Sequence, residues 1–129
     1  MAVLADRSEL IEGKASLIGI FQSIVASRFP TTLHGVLAIR VAVDADEAEF
    51  VEVSATLRRD AIELGALSMT ASVPPVTPAQ PLRGLDVTID LDGTELPEPG
   101  LYTFDVTVDG RSVATVPLSV LPTAGVARA

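Results

Sequence analysis

His34 is the only histidine in the chain, and histidine is the side chain best placed to move a proton near neutral pH. General-base catalysis needs a nucleophile and an orienting acid within hydrogen-bond reach of that imidazole. Its neighbours Thr31 and Thr32 supply hydroxyls but no acid, so the spacing favours an ordinary loop or strand-end residue over a catalytic one. Asp44, Asp46, Glu47 and Glu49 form an acidic group that could ligate Ca²⁺, which takes several oxygen donors. They lack the spacing of an EF-hand loop, with no glycine at the turn and no glutamate at its end. Asp90, Asp92 and Glu95 make a second acidic cluster at another loop. Solvated hairpin tips account for both clusters, and no catalytic, cofactor or metal residue is assigned. Pro75, Pro78 and Pro81 carry Pro-x-x-Pro spacings of the kind that aromatic grooves bind, though a stiff connector is the simpler reading. Phosphate-binding glycine loops and the Gly-x-Ser-x-Gly elbow do not occur.

Composition bounds what can position such residues. A chain of 129 residues with 48% hydrophobic content is long enough to bury a core as one domain, expected over residues 1–121 with a short tail at 122–129. That core must be aliphatic, because there is no Trp, one Tyr and four Phe. The net charge of −8 and a pI near 4.4 repel nucleic-acid phosphate and anionic lipid, which excludes both as expected partners. The absence of cysteine removes thiolate chemistry and disulfides and suits a reducing compartment. Asp6, Glu9 and Glu12 stand where a signal peptide needs basic and apolar residues, and the apolar run Ala15 to Ile20 is too short to span a bilayer. A cytoplasmic location is expected.

The elements read as strands. Met1 to Ala5 is a short strand, punctuated by Asp6-Arg7-Ser8. Leu10-Ile11 begins a second, Glu12-Gly13-Lys14 is a tight turn, and Leu17 to Val25 follows, apolar on both faces as a covered strand or a helix would be, with its length and β-branched residues favouring strand. After the break at Phe29-Pro30, Leu33, Gly35, Leu37, Ile39, Val41 and Val43 fall on one face. Val51, Val53, Ala55 and Leu57 do the same, with the acidic segment 45–49 as a hairpin loop between the two runs. Ile62, Leu64 and Ala66 open another strand after a turn near Arg59-Asp60. The prolines of 74–81 make an extended connector. Leu85, Val87, Ile89 and Leu91 then alternate with Asp86, Thr88, Asp90 and Asp92, Glu95 to Pro99 is a rigid crossing loop, and Tyr102, Phe104, Val106 and Val108 form the clearest inward row.

Register adds detail at the last hairpin. A two-residue Asp109-Gly110 loop would pair Phe104 with Thr115, whereas the apolar residues of the returning strand are Ala114, Val116, Leu118 and Val120. One extra residue is required, in the turn or as a bulge, and a three-residue loop Val108-Asp109-Gly110 with Gly110 left-handed is the simpler solution. Pro117 places that strand at or near a sheet edge. Gly100-Leu101-Tyr102 has the spacing of a tyrosine corner, in which the hydroxyl bonds back to the crossing loop. About eight short strands at this spacing point to an all-β, antiparallel β-sandwich, with a closed barrel as the runner-up.

Leu4-Ala5-Asp6, Gly13-Lys14 and Phe29-Pro30 resemble the opening of a family of small bacterial proteins of unknown function. Leu96-Pro97-Glu98-Pro99-Gly100-Leu101-Tyr102-Thr103-Phe104, with Val108-Asp109-Gly110 and Val116-Pro117-Leu118, is similar to that family's ending. The resemblance implies a stand-alone, cytoplasmic, immunoglobulin-like sandwich and transfers no functional residue. The functional expectation is therefore a non-catalytic protein-interaction or self-assembly module acting through sheet edges or loops, with a protein partner or a second copy. The alternative is a metal- or ligand-binding domain using the acidic loops. The outward acids Asp86, Asp90 and Asp105 serve to discourage edge pairing, or offer an acidic surface to a basic partner. Pro117's edge is the first place to look for a partner, and the apolar Leu10-Ile11 and Leu17 to Ile20 are a candidate self-association surface.

Overall fold

The computed structural model describes residues 1–11, 14–43, 50–73 and 83–123. Within them the chain is all-β. The strands are β1 (Ala2–Ile11), β2 (Lys14–Phe21), β3 (Ser23–Ala26), β4 (Thr31–Leu33), β5 (Val36–Val43), β6 (Phe50–Arg59), β7 (Ile62–Ser72), β8 (Arg83–Asp90), β9 (Thr94–Leu96), β10 (Gly100–Val108) and β11 (Arg111–Pro122). A four-stranded sheet runs in the order β2-β1-β5-β8, a five-stranded sheet β3-β11-β10-β6-β7, and β4 pairs with β9 alone.

Alternation decides which side chains meet. Residues i and i+2 of a strand share a face, so Leu37 and Ile39 of β5 and Leu85, Val87 and Ile89 of β8 line one side of the smaller sheet. Val51, Val53, Ala55 and Leu57 of β6, with Tyr102, Phe104 and Val106 of β10, line one side of the larger, and all are buried in a single cluster. Leu33 of β4, Leu96 of β9 and Leu91 close the cluster where the short ribbon lies. Burying each large apolar side chain contributes about 1.5–3 kcal/mol, so a common core across both sheets is the dominant stabilising feature.

Several expectations need correction. Eleven strands are described, more than the eight expected, because β3, β4 and β9 have only 4, 3 and 3 residues and so carry no readable alternation. Asp6-Arg7-Ser8 does not end β1. The strand pairs with β5 over Ala2–Ala5 and continues against β2 as far as Ile11↔Lys14, a ribbon in which charged side chains stay solvated and the ladder need not stop. The run Leu17 to Val25 is two strands in different sheets, divided at Gln22, whose carbonyl accepts from the Ser119 amide at 2.9 Å. β3 then runs parallel to β11, so the larger sheet is not wholly antiparallel. The strands flanking 44–49 also belong to different sheets, so β5 and β6 are not the two arms of a hairpin; identical alternation in both gives no clue to pairing partner. The crossing loop begins later than Glu95, which lies within β9. The turn residues 12–13, the acidic segment 44–49, the proline segment 74–82 and the tail residues 124–129 lie outside the described residues.

The final hairpin uses the other solution to its parity problem. Val108 pairs with Arg111 across a two-residue Asp109-Gly110 turn, with positive φ at Asp109 (49°) and Gly110 (81°). Both central residues left-handed is the twist that matches a hairpin. The extra residue is Val113, bulged between the Thr107↔Ser112 and Val106↔Ala114 pairs, which brings Phe104 opposite Val116 and Tyr102 opposite Leu118. Pro117's edge is partial. Beyond it β3 covers Ser119–Pro122, while Arg111–Leu118 has no second neighbour among the described residues.

Candidate functional site

His34 sits between β4 and β5 with its side chain 78% exposed, and its Nδ1 lies 3.9 Å from Asp92 Oδ1. That separation is too long for a hydrogen bond. Asp92 Oδ1 instead accepts the Gly35 amide at 2.7 Å, and Asp90 Oδ1 accepts the Asp92 amide at 2.9 Å. The structure thus gathers His34, Asp90 and Asp92 at one end of the molecule, while Glu95 stands opposite Thr32 on the short ribbon. Their carboxylates are occupied in holding the β8–β9 turn against Gly35. Gly35 is fixed from both sides: its carbonyl accepts the Leu91 amide at 2.9 Å, and a side chain there would bring Cβ to 2.6 Å from the Ala5 carbonyl oxygen. Among the described residues no three His, Asp or Glu side chains converge as metal ligands.

The outward acids are also engaged. Asp86 accepts from Arg40 Nε at 2.7 Å and from Nη2 at 3.2 Å, a forked pair between β5 and β8 that raises the arginine's pKa chiefly through the hydrogen bond. Asp105 accepts from Arg58 Nε at 2.8 Å and from Thr115 Oγ1 at 3.2 Å, linking β6, β10 and β11. Arg59 pairs with Glu98, whose hydrogen bond is the main cause of that arginine's raised pKa. These contacts join neighbouring strands, so Asp86 and Asp105 are not free surface charges. A shallow cleft of about 140 Å³ beside Arg40 and Asp86 is lined also by Met1, Leu17 and Thr88, and no unpaired polar group is buried in it.

Tyr102 is fully buried. Its hydroxyl donates to the Glu98 carbonyl at 2.5 Å and accepts the Glu98 amide at 3.1 Å. This is the expected tyrosine corner, a lock on the crossing loop with no hydroxyl left for chemistry.

The strand opened by Ile62, Leu64 and Ala66 is present as β7; the feature that sequence reading missed is its exposed apolar edge. β7 ends the five-stranded sheet and, among the described residues, pairs only with β6. Gly65, Leu67, Met69 and Ala71 lie opposite Leu57, Ala55, Val53 and Val51, and directly opposed residues share a face. β7 therefore continues the core-facing row of β6, but most of it is uncovered: Ile62 is 57% exposed, and Leu64, Leu67 and Met69 are each 38% exposed. Leu64 is the bulged residue, between the Leu57↔Gly65 and Arg58↔Glu63 pairs. Beneath the strand a groove of about 210 Å³ is lined by Leu57, Leu64, Leu67 and Phe104, with Thr94 and Glu95 of β9 on its far side. The signal was present in the sequence, since β7 holds one charged residue, Glu63, in 11 and no proline. Alternation alone made it look like an ordinary half-buried strand.

Over residues 1–121 the chain matches the Family of unknown function (DUF6941), and it belongs to that family. No curated protein matches it. No helix among the described residues is long and apolar enough to cross a membrane.

Proposed function

We propose, from membership in a family without an assigned activity, that this chain is a non-catalytic protein-interaction module that accepts an extended strand of a protein along β7. The observation that carries this reading is an edge strand of 11 residues whose large apolar side chains are exposed. Such an edge leaves a row of backbone donors and acceptors ready to pair, and native proteins ordinarily blunt it with charge, proline or brevity. Three other edges carry such devices. β3 has 4 residues, β8 carries Asp86 and Asp90, and the uncovered part of β11 holds Arg111 and Pro117. From Leu64 to Ser72, β7 has none.

An immunoglobulin-like β-sandwich is the architecture we assign to the module. The tyrosine corner and the single cluster shared by the two larger sheets support that assignment. A cysteine-free sequence suits work in the reducing cytoplasm.

The test compares two tagged baits in native cells, the wild-type chain and Ser68→Lys/Thr70→Lys. Both substituted residues are exposed on the face of β7 turned away from the groove. The lysines leave the core untouched and place charge on the edge. Recovery of partners, including differently tagged copies of the chain itself, is expected to fall at least tenfold. Equal recovery by both baits would overturn the reading.

A further inference from the structure

We infer that the strand added at β7 is the β7 of a second copy, paired antiparallel about a two-fold axis at Ser68. The inference rests on the proposed use of β7 and names its occupant. A strand joins an edge productively only in a register that keeps apolar residues on the buried face. In β7 the set that shares the core-side face with β6 is Gly65, Leu67, Met69 and Ala71, and the opposite set is Ala66, Ser68 and Thr70. Antiparallel self-pairing keeps the sets apart only if odd residues oppose odd ones. The Leu64 bulge and the strand end at Ser72 limit the regular edge to residues 65–72, and centring on Ser68 uses Gly65 to Ala71. Leu67 then opposes Met69 of the second copy, Gly65 opposes Ala71, Ala66 opposes Thr70, and Ser68 opposes itself. Large meets large and small meets small, and the core-side rows of both copies join into one apolar strip.

Charge leaves room for this occupant at β7. Each copy carries −8, so two copies repel, and they do so least along an uncharged segment. Gly65 to Ser72 bears no formal charge. Glu63, the one charged side chain of β7, lies 3.7 Å from Arg58. In this register the two copies of Glu63 stand about 34 Å apart along the strands, at ~3.4 Å per residue, well beyond a Debye length of about 8 Å at physiological salt.

The chain has no cysteine, so a single introduced one reports position without interference. Across an antiparallel pair directly opposed Cα atoms lie about 4.5–5.5 Å apart, within the ~4.4–6.8 Å range of a disulfide. Ser68→Cys is expected to give a cross-linked dimer under mild oxidation. Thr70→Cys alone should not, because the two copies of residue 70 are offset by about 14 Å at ~3.4 Å per residue. An equimolar mixture of Ala66→Cys and Thr70→Cys chains should cross-link as the heterodimer. In solution the uncross-linked wild type should double its mass with rising concentration, and more readily at higher salt as repulsion is screened. Ser68→Lys/Thr70→Lys should remain a monomer. Cross-linking of Thr70→Cys as efficient as that of Ser68→Cys would overturn the register. A wild-type monomer at every concentration, without Ser68→Cys cross-linking, would overturn the second copy as occupant. β7-dependent capture of another protein in that case would leave the interaction role standing, whereas its absence would remove both.

Discussion

Replacing Tyr102 by Phe removes one oxygen from a fully buried ring and leaves the packing of that ring unchanged. The oxygen makes two hydrogen bonds to the backbone of Glu98, at 2.5 and 3.1 Å. Each such bond is worth about 1 kcal/mol net, and a backbone group left without a partner in a site closed to water costs more. Water can reach part of the exposed Glu98, which offsets some of that cost, so a loss of about 2 kcal/mol is expected. For a domain of this size that corresponds to a fall in melting temperature of roughly 6–10 °C. Urea unfolding followed by circular dichroism measures it, and Glu98→Ala is the control. That change removes the ion pair with Arg59 while keeping both backbone partners of Tyr102, and it should leave stability near wild type. A Tyr102→Phe protein within about 0.5 kcal/mol of wild type, the scatter of ordinary surface changes, would refute the claim that the hydroxyl locks the crossing loop. So would a Glu98→Ala loss as large as that of Tyr102→Phe.

Two further outcomes follow from the backbone. Gly35→Ala places a methyl group 2.6 Å from the Ala5 carbonyl oxygen at φ +142°, where the neighbour is backbone and cannot swing aside. It should destabilise by about 3 kcal/mol or more, combining strain with the clash, as read by the same urea titration. Deleting Val113 removes the bulge but retains the Phe104↔Val116 and Tyr102↔Leu118 pairs. The melting temperature should therefore fall modestly, whereas inserting one residue after Thr115 turns Val116, Leu118 and Val120 outward and should abolish cooperative unfolding.

Much of the fold was legible because the rows that build the core alternate without interruption. Val51 to Leu57, Leu85 to Ile89 and Tyr102 to Val108 each present their odd or even set to one buried cluster. Sheet membership was not legible. β5 and β6 look like two arms of a hairpin, yet they lie in different sheets, because alternation specifies a face and says nothing of which neighbour completes the ladder. The parity argument at the last hairpin established that one residue was surplus but could not locate it. Asp109 and Gly110 both tolerate left-handed backbone, so the turn stayed tight and the surplus moved to Val113. At the candidate site, His34 and Asp92 were each visible in the sequence but their proximity was not, since it depends on Gly35 receiving the β8–β9 turn.

The acidity of the chain and the apolarity of β7 belong to one arrangement. Two outward acids, Asp86 and Asp105, are held by arginines on the adjacent strands β5 and β6, where they favour the correct neighbour during sheet assembly. Exposed pairs of this kind add little stability, so their value lies in choosing partners more than in holding them. The same logic applied at the edges explains why a body of charge −8 repels its copies in most orientations. On the proposed pairing, the uncharged segment of β7 is where that repulsion interferes least with strand pairing. Net charge then opposes association overall, and does so least along an edge that carries none.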